Sequence, residues 1–181
     1  AGAAAVFVVV YISFMGYAGD RVTAWLHPEL DPGDTGYQIL QSLYAIGSGG
    51  LFGLGYGKSR QKYLYLPFQY NDYIFAVICE ELGLVGAMAI VALFAVTILR
   101  GYWIALNARD RFSTVFAAGL VTLIAVQTVL NLCVVTNLLP STGIALPFFS
   151  YGGTALAVNL GEMGIVLGIS RGRNRRKIQE A

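Results

Sequence analysis

The chain has 181 residues, of which 56% are apolar (AVILMFWYC), 12% are charged and 22 are glycine, with a formal net charge of +2. A soluble domain carries about 25% charged residues, so this chain cannot clothe a water-exposed surface. Disorder and an ordinary soluble enzyme are both excluded, and the chain reads as an integral membrane protein. The charge is too mild to imply nucleic-acid binding. Cys79 and Cys133 lie in apolar runs without CxxC or Cys/His spacing and read as small buried hydrophobes. The chain opens on Ala1 without an initiator Met or a basic n-region, so residues 3–18 make a poor signal peptide, and a piece of a longer protein is expected.

A hydrocarbon core about 30 Å thick takes roughly 17 to 25 helical residues to cross. The apolar runs are too long and too weakly alternating for barrel strands, so an all-α, polytopic membrane helical bundle is expected. In chain order it comprises a transmembrane helix over 1–18, a large extracellular loop over 19–71 and a second helix over 72–100. A cytoplasmic loop over 101–113 leads to a third helix over 114–136. An extracellular re-entrant loop over 137–147, a fourth helix over 148–170 and a basic cytoplasmic tail over 171–181 complete it. Arg100, Arg109 and Arg111 follow the second helix, and Arg171, Arg173, Arg175, Arg176 and Lys177 follow the fourth. The loop between the third and fourth has no Lys or Arg, and the positive-inside rule then sets the C-terminus in the cytoplasm.

The 19–71 loop is far longer than an ordinary connection and rich in aromatic residues, so it is expected to be functional. Gly36 to Ile46 reads as a short amphipathic helix with Ile39, Leu40, Leu43 and Ile46 on one face, and such segments rest at the membrane interface. The stretch Gly47 to Ser59 is no Walker A loop, because Phe52 stands where the first glycine is required. It reads instead as backbone that bends sharply or approaches something closely. Lys58, Arg60 and Lys62 follow; they suit a phosphate, and equally a solvated or headgroup-facing cluster.

Asp72 stands at the outer mouth of the second helix, where an N-cap is the plain reading and chemistry on a membrane-anchored substrate the functional one. Glu80 and Glu81 lie two turns further in, at the edge of an uncharged run. Gln127 and Asn131, at i and i+4 on the third helix, favour interhelical hydrogen bonding over catalysis. Between Asn137 and Thr154, Pro140, Gly143, Pro147, Gly152 and Gly153 break the helix in a segment still largely apolar. Backbone of that kind is buried in protein or lines a cavity, and it is expected to fold back as a wall of the site. Glu162 is expected to face the bundle interior.

Together, Tyr37-Gln38, the Ser42 to Gly57 glycine stretch, Ser59-Arg60-Gln61-Lys62, Tyr65-Leu66-Pro67, Asp72-Tyr73-Ile74-Phe75-Ala76-Val77, Glu80-Glu81-Leu82-Gly83, Leu139-Pro140-Ser141-Thr142-Gly143 and Leu146-Pro147-Phe148-Phe149-Ser150-Tyr151-Gly152-Gly153 resemble the SEDS family (FtsW, RodA, SpoVE) over nearly the whole chain. The Ser59 to Lys62 run is closer to the division and sporulation branch. The resemblance implies ten membrane helices, of which this chain looks like the last four. It also implies a bacterial cytoplasmic-membrane enzyme that polymerises lipid II into glycan strands, with a class B penicillin-binding protein and other division or sporulation membrane proteins as partners. Asp72 matches the family's essential acid. Lys58, Ser59, Arg60, Gln61 and Lys62, with Ser150, Gly152 and Gly153, are the expected substrate-binding residues. The leaving pyrophosphate would meet either those cations or a divalent cation such as Mg or Mn, and Asp72 would act either as general base or as that cation's ligand. The chain departs from the family with Phe68 after the Leu-Pro, where Glu is common, with Leu64 where many division members carry an acid, and with Tyr70-Asn71 in place of His-Thr. A lipid II flippase using Glu162, Gln127 and Asn131, and a scaffold for the penicillin-binding protein, are the rival readings.

Overall fold

A computed structural model describes residues 19, 21–30, 35–59 and 72–179, the side chains of residues 35 and 173–179 excepted. The expected first span over 1–18 lies outside the described residues, as do Arg60, Gln61 and Lys62. Residues 21–26 are helical, a 3-10 turn spans Pro28–Leu30, and four longer helices follow: α1 (Thr35–Ser48), α2 (Ile74–Leu106), α3 (Arg111–Val135) and α4 (Gly153–Gln179). No strand occurs among the described residues. Three helices are long and apolar enough to cross a membrane, namely α2, α3 and Gly153–Gly172 of α4, and the chain is a multi-pass membrane protein.

At 33 residues, α2 is about 50 Å long at 1.5 Å per residue, well beyond the hydrocarbon thickness. It runs to Leu106, so the expected 101–113 loop shrinks to residues 107–110. Nothing after Arg100 stops the helix, and Gly101 is buried, since a Cβ there would press into the Val121 side chain. The Arg100 guanidinium lies over the Trp103 ring, 4.1 Å from its centroid, as an interfacial anchor at this end. Asp110 then caps α3, accepting from Ser113 N at 3.0 Å, and these hydrogen bonds lower its pKa.

The second helix is not continuous, as a span over 72–100 would require. Gly83 has φ 68 and ψ −170, which breaks the i→i−4 ladder for Leu84 and Val85. The glycine-rich stretch after α1 fits into the gap. Leu84 N and Val85 N donate to Gly50 O and Leu51 O at 2.9 and 3.2 Å, while Leu54 N and Gly55 N donate to Glu80 O and Glu81 O at 2.9 and 3.0 Å. Two helical bonds are thus replaced by four bonds to the loop. Left unpaired in an apolar setting, each such group costs about 1–3 kcal/mol. A Cβ on Gly53 or on Gly83 would collide with the backbone of the other strand of this joint, and both residues have positive φ. The close approach read from the Gly47 to Ser59 stretch is an approach to α2.

Helix α1 packs on α2 and α3 through Ile39, Ser42 and Ala45, all essentially fully buried, with Ile46 of the expected face partly buried against the same core and Leu40 and Leu43 half-buried. The small Ser42 and Ala45 allow a close approach, and Ser42 Oγ donates to Val135 O at 3.3 Å at the end of α3. One apolar cluster joins Ala45, Phe75, Ala76, Cys79, Ala87, Phe94, Val135 and Leu146; a second, toward the other end, joins Ile104, Ala105, Ala117, Val121 and Val166.

Helix α3 ends in a Schellman motif. Asn137 takes φ 57, its N–H donates to Val134 O at 3.0 Å, and Leu138 N donates to Cys133 O at 2.7 Å. Thus Asn137, rather than Pro140, turns the chain out of the helix. Residues 148–152 are a turn with Phe148 at φ 66, so α4 starts at Gly153 rather than at 148.

Candidate active site

Asp72 lies two residues before α2. The N-cap position is Tyr73, and no side chain caps the helix, so the Asp72 carboxylate does not serve the plain capping role. It is half-buried, and that burial pushes its pKa above the usual carboxylate value of 3.8, while the Arg21 guanidinium pulls it down. Tyr73 beside it is buried, its hydroxyl next to Ser141 but outside hydrogen-bond geometry, and burial raises its pKa as well.

Three side chains tie this corner to the segment 137–147. Arg21 Nη1 donates to Ser141 O at 2.6 Å, and one turn on, Trp25 Nε1 donates to Asn137 O at 2.9 Å. From α3, Asn131 Nδ2 donates to Asp72 O and to Ile144 O, both at 2.8 Å. Gly143, at φ 70, passes so near that a Cβ there would stand 3.6 Å from Asp72 Oδ2. A carboxylate, a guanidinium and a glycine-bearing wall therefore meet at the N-terminal end of α2.

The other expected site residues fall in three places. Ser59, 1% exposed, donates from Oγ to the Glu80 carboxylate and so fastens the chain after the glycine joint to α2. Lys58 beside it is exposed, whereas Arg60, Gln61 and Lys62 lie outside the described residues. Glu81 is buried with Oε1 unpartnered, and its backbone belongs to the joint at Gly83. Ser150 Oγ accepts from Leu146 N at 2.8 Å inside the turn before α4, and Gly152 O accepts from Leu156 N at 2.9 Å in the first turn that Gly153 opens. Gln127 lines an open cavity of about 380 Å³ with Ile144, Ala145, Thr154, Val158 and Asn159. Glu162 is buried on α4 one turn beyond Asn159, and its Oε2 has no partner.

No three His, Cys, Asp or Glu side chains converge on a metal position among the described residues. Around Asp72 the described groups are one carboxylate with a guanidinium acting on it and a neighbouring carbonyl engaged by that guanidinium. Sequence reasoning missed Arg21, Trp25 and Tyr73 as parts of this corner. Arg21 and Trp25, at i and i+4 in a segment with no other mark, carry no local signal of a partner more than a hundred residues away.

The profile of the cell cycle protein family FtsW/RodA/SpoVE matches residues 1–175. The chain is 50% identical over 155 residues to "Stage V sporulation protein E" of Bacillus subtilis (strain 168), covering 86% of this chain and 42% of that protein. It is 45% identical over 166 residues to "Probable peptidoglycan glycosyltransferase FtsW" of Trichlorobacter lovleyi, covering 92% and 44%. Among solved structures, a chain from work on the structural coordination of polymerization and crosslinking by a peptidoglycan synthase complex superposes with a TM-score of 0.71 at 30% identity, covering 93% of this chain and 46% of that one. The chain thus spans less than half the length of these relatives. With the profile running through every helix described above, the chain belongs to the FtsW/RodA/SpoVE family.

Proposed function

We propose that the protein of which this chain forms part is a peptidoglycan glycosyltransferase that polymerises lipid II at the outer face of the bacterial cytoplasmic membrane, in division or sporulation. The chain then supplies the last four of ten membrane helices, with the Arg-rich 107–111 turn and the C-terminal tail in the cytoplasm and Asp72 outside. A class B penicillin-binding protein is the proposed partner, in line with the synthase complex that the solved relative comes from.

The observation that carries this reading is the placement of Asp72, which is uncapping, half-buried and set against Arg21 and the 137–147 wall. Glycan growth requires a sugar hydroxyl to attack the anomeric carbon of a lipid-linked donor while the lipid pyrophosphate leaves. Asp72 takes the hydroxyl proton as the C–O bond forms, and the leaving group carries away the electrons of the bond that breaks. A burial-raised pKa suits this, because a base works best when its pKa lies closer to the working pH. Lys58, exposed beside the joint, and Arg60 and Lys62 after it are the cations proposed to receive the pyrophosphate charge. A divalent cation would supply the same charge when bound, with Asp72 as the residue to hold it. The test is Asp72→Asn in the full-length protein with its partner. Polymerisation of lipid II falls by about a hundredfold or more with unchanged membrane abundance, and a variant that polymerises normally removes Asp72 from the chemistry.

A further inference from the structure

We infer that Asn131 is a positioning residue of the reaction, a single buried amide that holds the Asp72 corner and the wall of the adjoining cavity at one fixed separation. This rests on the assignment of Asp72 as the base. Both hydrogens of Asn131 Nδ2 are engaged, one by Asp72 O and one by Ile144 O, at 2.8 Å each. The two carbonyls come from the mouth of α2 and from the middle of the 137–147 segment. No backbone–backbone bond joins those two segments among the described residues.

Three observations separate this from ordinary packing. Asn131 is 1% exposed, so water cannot replace it. Its Oδ1 is buried without a partner, a destabilising arrangement; an amide at this place is therefore explained by its donors, and flipping it would set its oxygen against two carbonyls. Thr128, equally buried one turn earlier, shows the alternative, because its hydroxyl donates within its own helix to Ile124 O at 2.8 Å and joins nothing.

The second carbonyl gives the link its functional meaning. Ile144 and Ala145 line the cavity of about 380 Å³ shared with Gln127, Thr154 and Asn159. One side chain therefore fixes the backbone of Asp72 and the cavity's near wall together, so whatever presses on that wall is registered to the carboxylate. Misplacement of a reacting group by about 1 Å can cost a hundredfold in rate.

The experiment measures initial rates of lipid II polymerisation by the full-length protein with its partner. Asn131→Ala and Asn131→Ser are compared with wild type and with Asp72→Asn, and thermal unfolding in detergent reports folding. The expected result is a kcat lowered about tenfold or more in Asn131→Ala, with KM for lipid II within about twofold. Asn131→Ser, which keeps one shorter donor, falls less. If Asn131→Ala does not assemble, Asn131→Ser carries the same test. A raised KM with unaltered kcat, or wild-type kinetics, overturns the positioning role. Should Asp72→Asn itself polymerise normally, the assignment of the base fails instead. If Asp72→Asn is inactive while the Asn131 variants are normal, only the present inference is lost.

Discussion

A carboxylate acts as a base only while ionised, and Asp72 is held between two opposing influences, burial raising its pKa and Arg21 lowering it. The acid limb of the kcat–pH profile is accordingly expected above the usual carboxylate value of 3.8. Arg21→Gln keeps a donor for Ser141 O but removes the charge, and it should move that limb to higher pH; an unmoved limb would mean that Arg21 acts only as a tether. The linkage sign is the reverse of a salt-bridged acid. Because the folded pKa is raised, Asp72 favours folding at low pH and withdraws that contribution as pH climbs from 3.8 through the folded value. At this scale the place of Asp72 just ahead of the helix was legible, since its motif and the start of the apolar run both mark it. Its surroundings were not. Arg21 and Ser141 converge there only through the tertiary fold, and nothing in the sequence shows that the Ser150 oxygen accepts a bond within its own turn.

Among the elements, α2 shows the limit of reading hydropathy alone. Its apolar run announces a membrane helix, and the glycine-rich stretch announces a close approach, yet Leu82-Gly83-Leu84 carries no sign that the two belong together. Only backbone φ and the exchanged hydrogen bonds reveal the joint. At φ 68 and ψ −170 Gly83 sits in a region that essentially only glycine adopts, where another residue is strained by about 1–3 kcal/mol, and a Cβ there also strikes the Gly53 and Leu51 backbone. Gly83→Ala is therefore expected to lower the thermal stability of the full-length protein by more than that strain alone. Gly47→Ala, on a helical and open position of α1, should leave it unchanged or raise it by about 0.5–1 kcal/mol. Equal effects of the two changes would mean that the joint does not support the fold. The amphipathic helix stands where its apolar periodicity puts it, with Ile39 and Ile46 of the expected face turned to the core, but its closest contacts run through Ser42 and Ala45, small residues that hydropathy does not mark.

For the molecule as a whole, composition alone was enough to establish membrane residence, since a surface so poor in charge has no other solvent to face. Orientation is argued from Arg placement, and it is open to direct measurement. With Cys79 and Cys133 replaced, a cysteine at Thr142 should react with an impermeant maleimide added outside intact cells or spheroplasts. One at Asn107 should react only after permeabilisation, and the opposite pattern would invert the proposed topology. Most of the outward surface of α2, α3 and α4 is apolar and uncovered in the described chain, as befits the helices of a multi-pass membrane protein. The interruption at Gly83 gives that arrangement a mechanical property. The glycine loop takes the carbonyls of Glu80 and Glu81 before the break and the amides of Leu84 and Val85 after it, so it splints the stub that leads from Asp72 to the rod that follows. A helix cut at one residue is thereby kept in register by a second stretch of chain, and slackening that splint would loosen both halves at once.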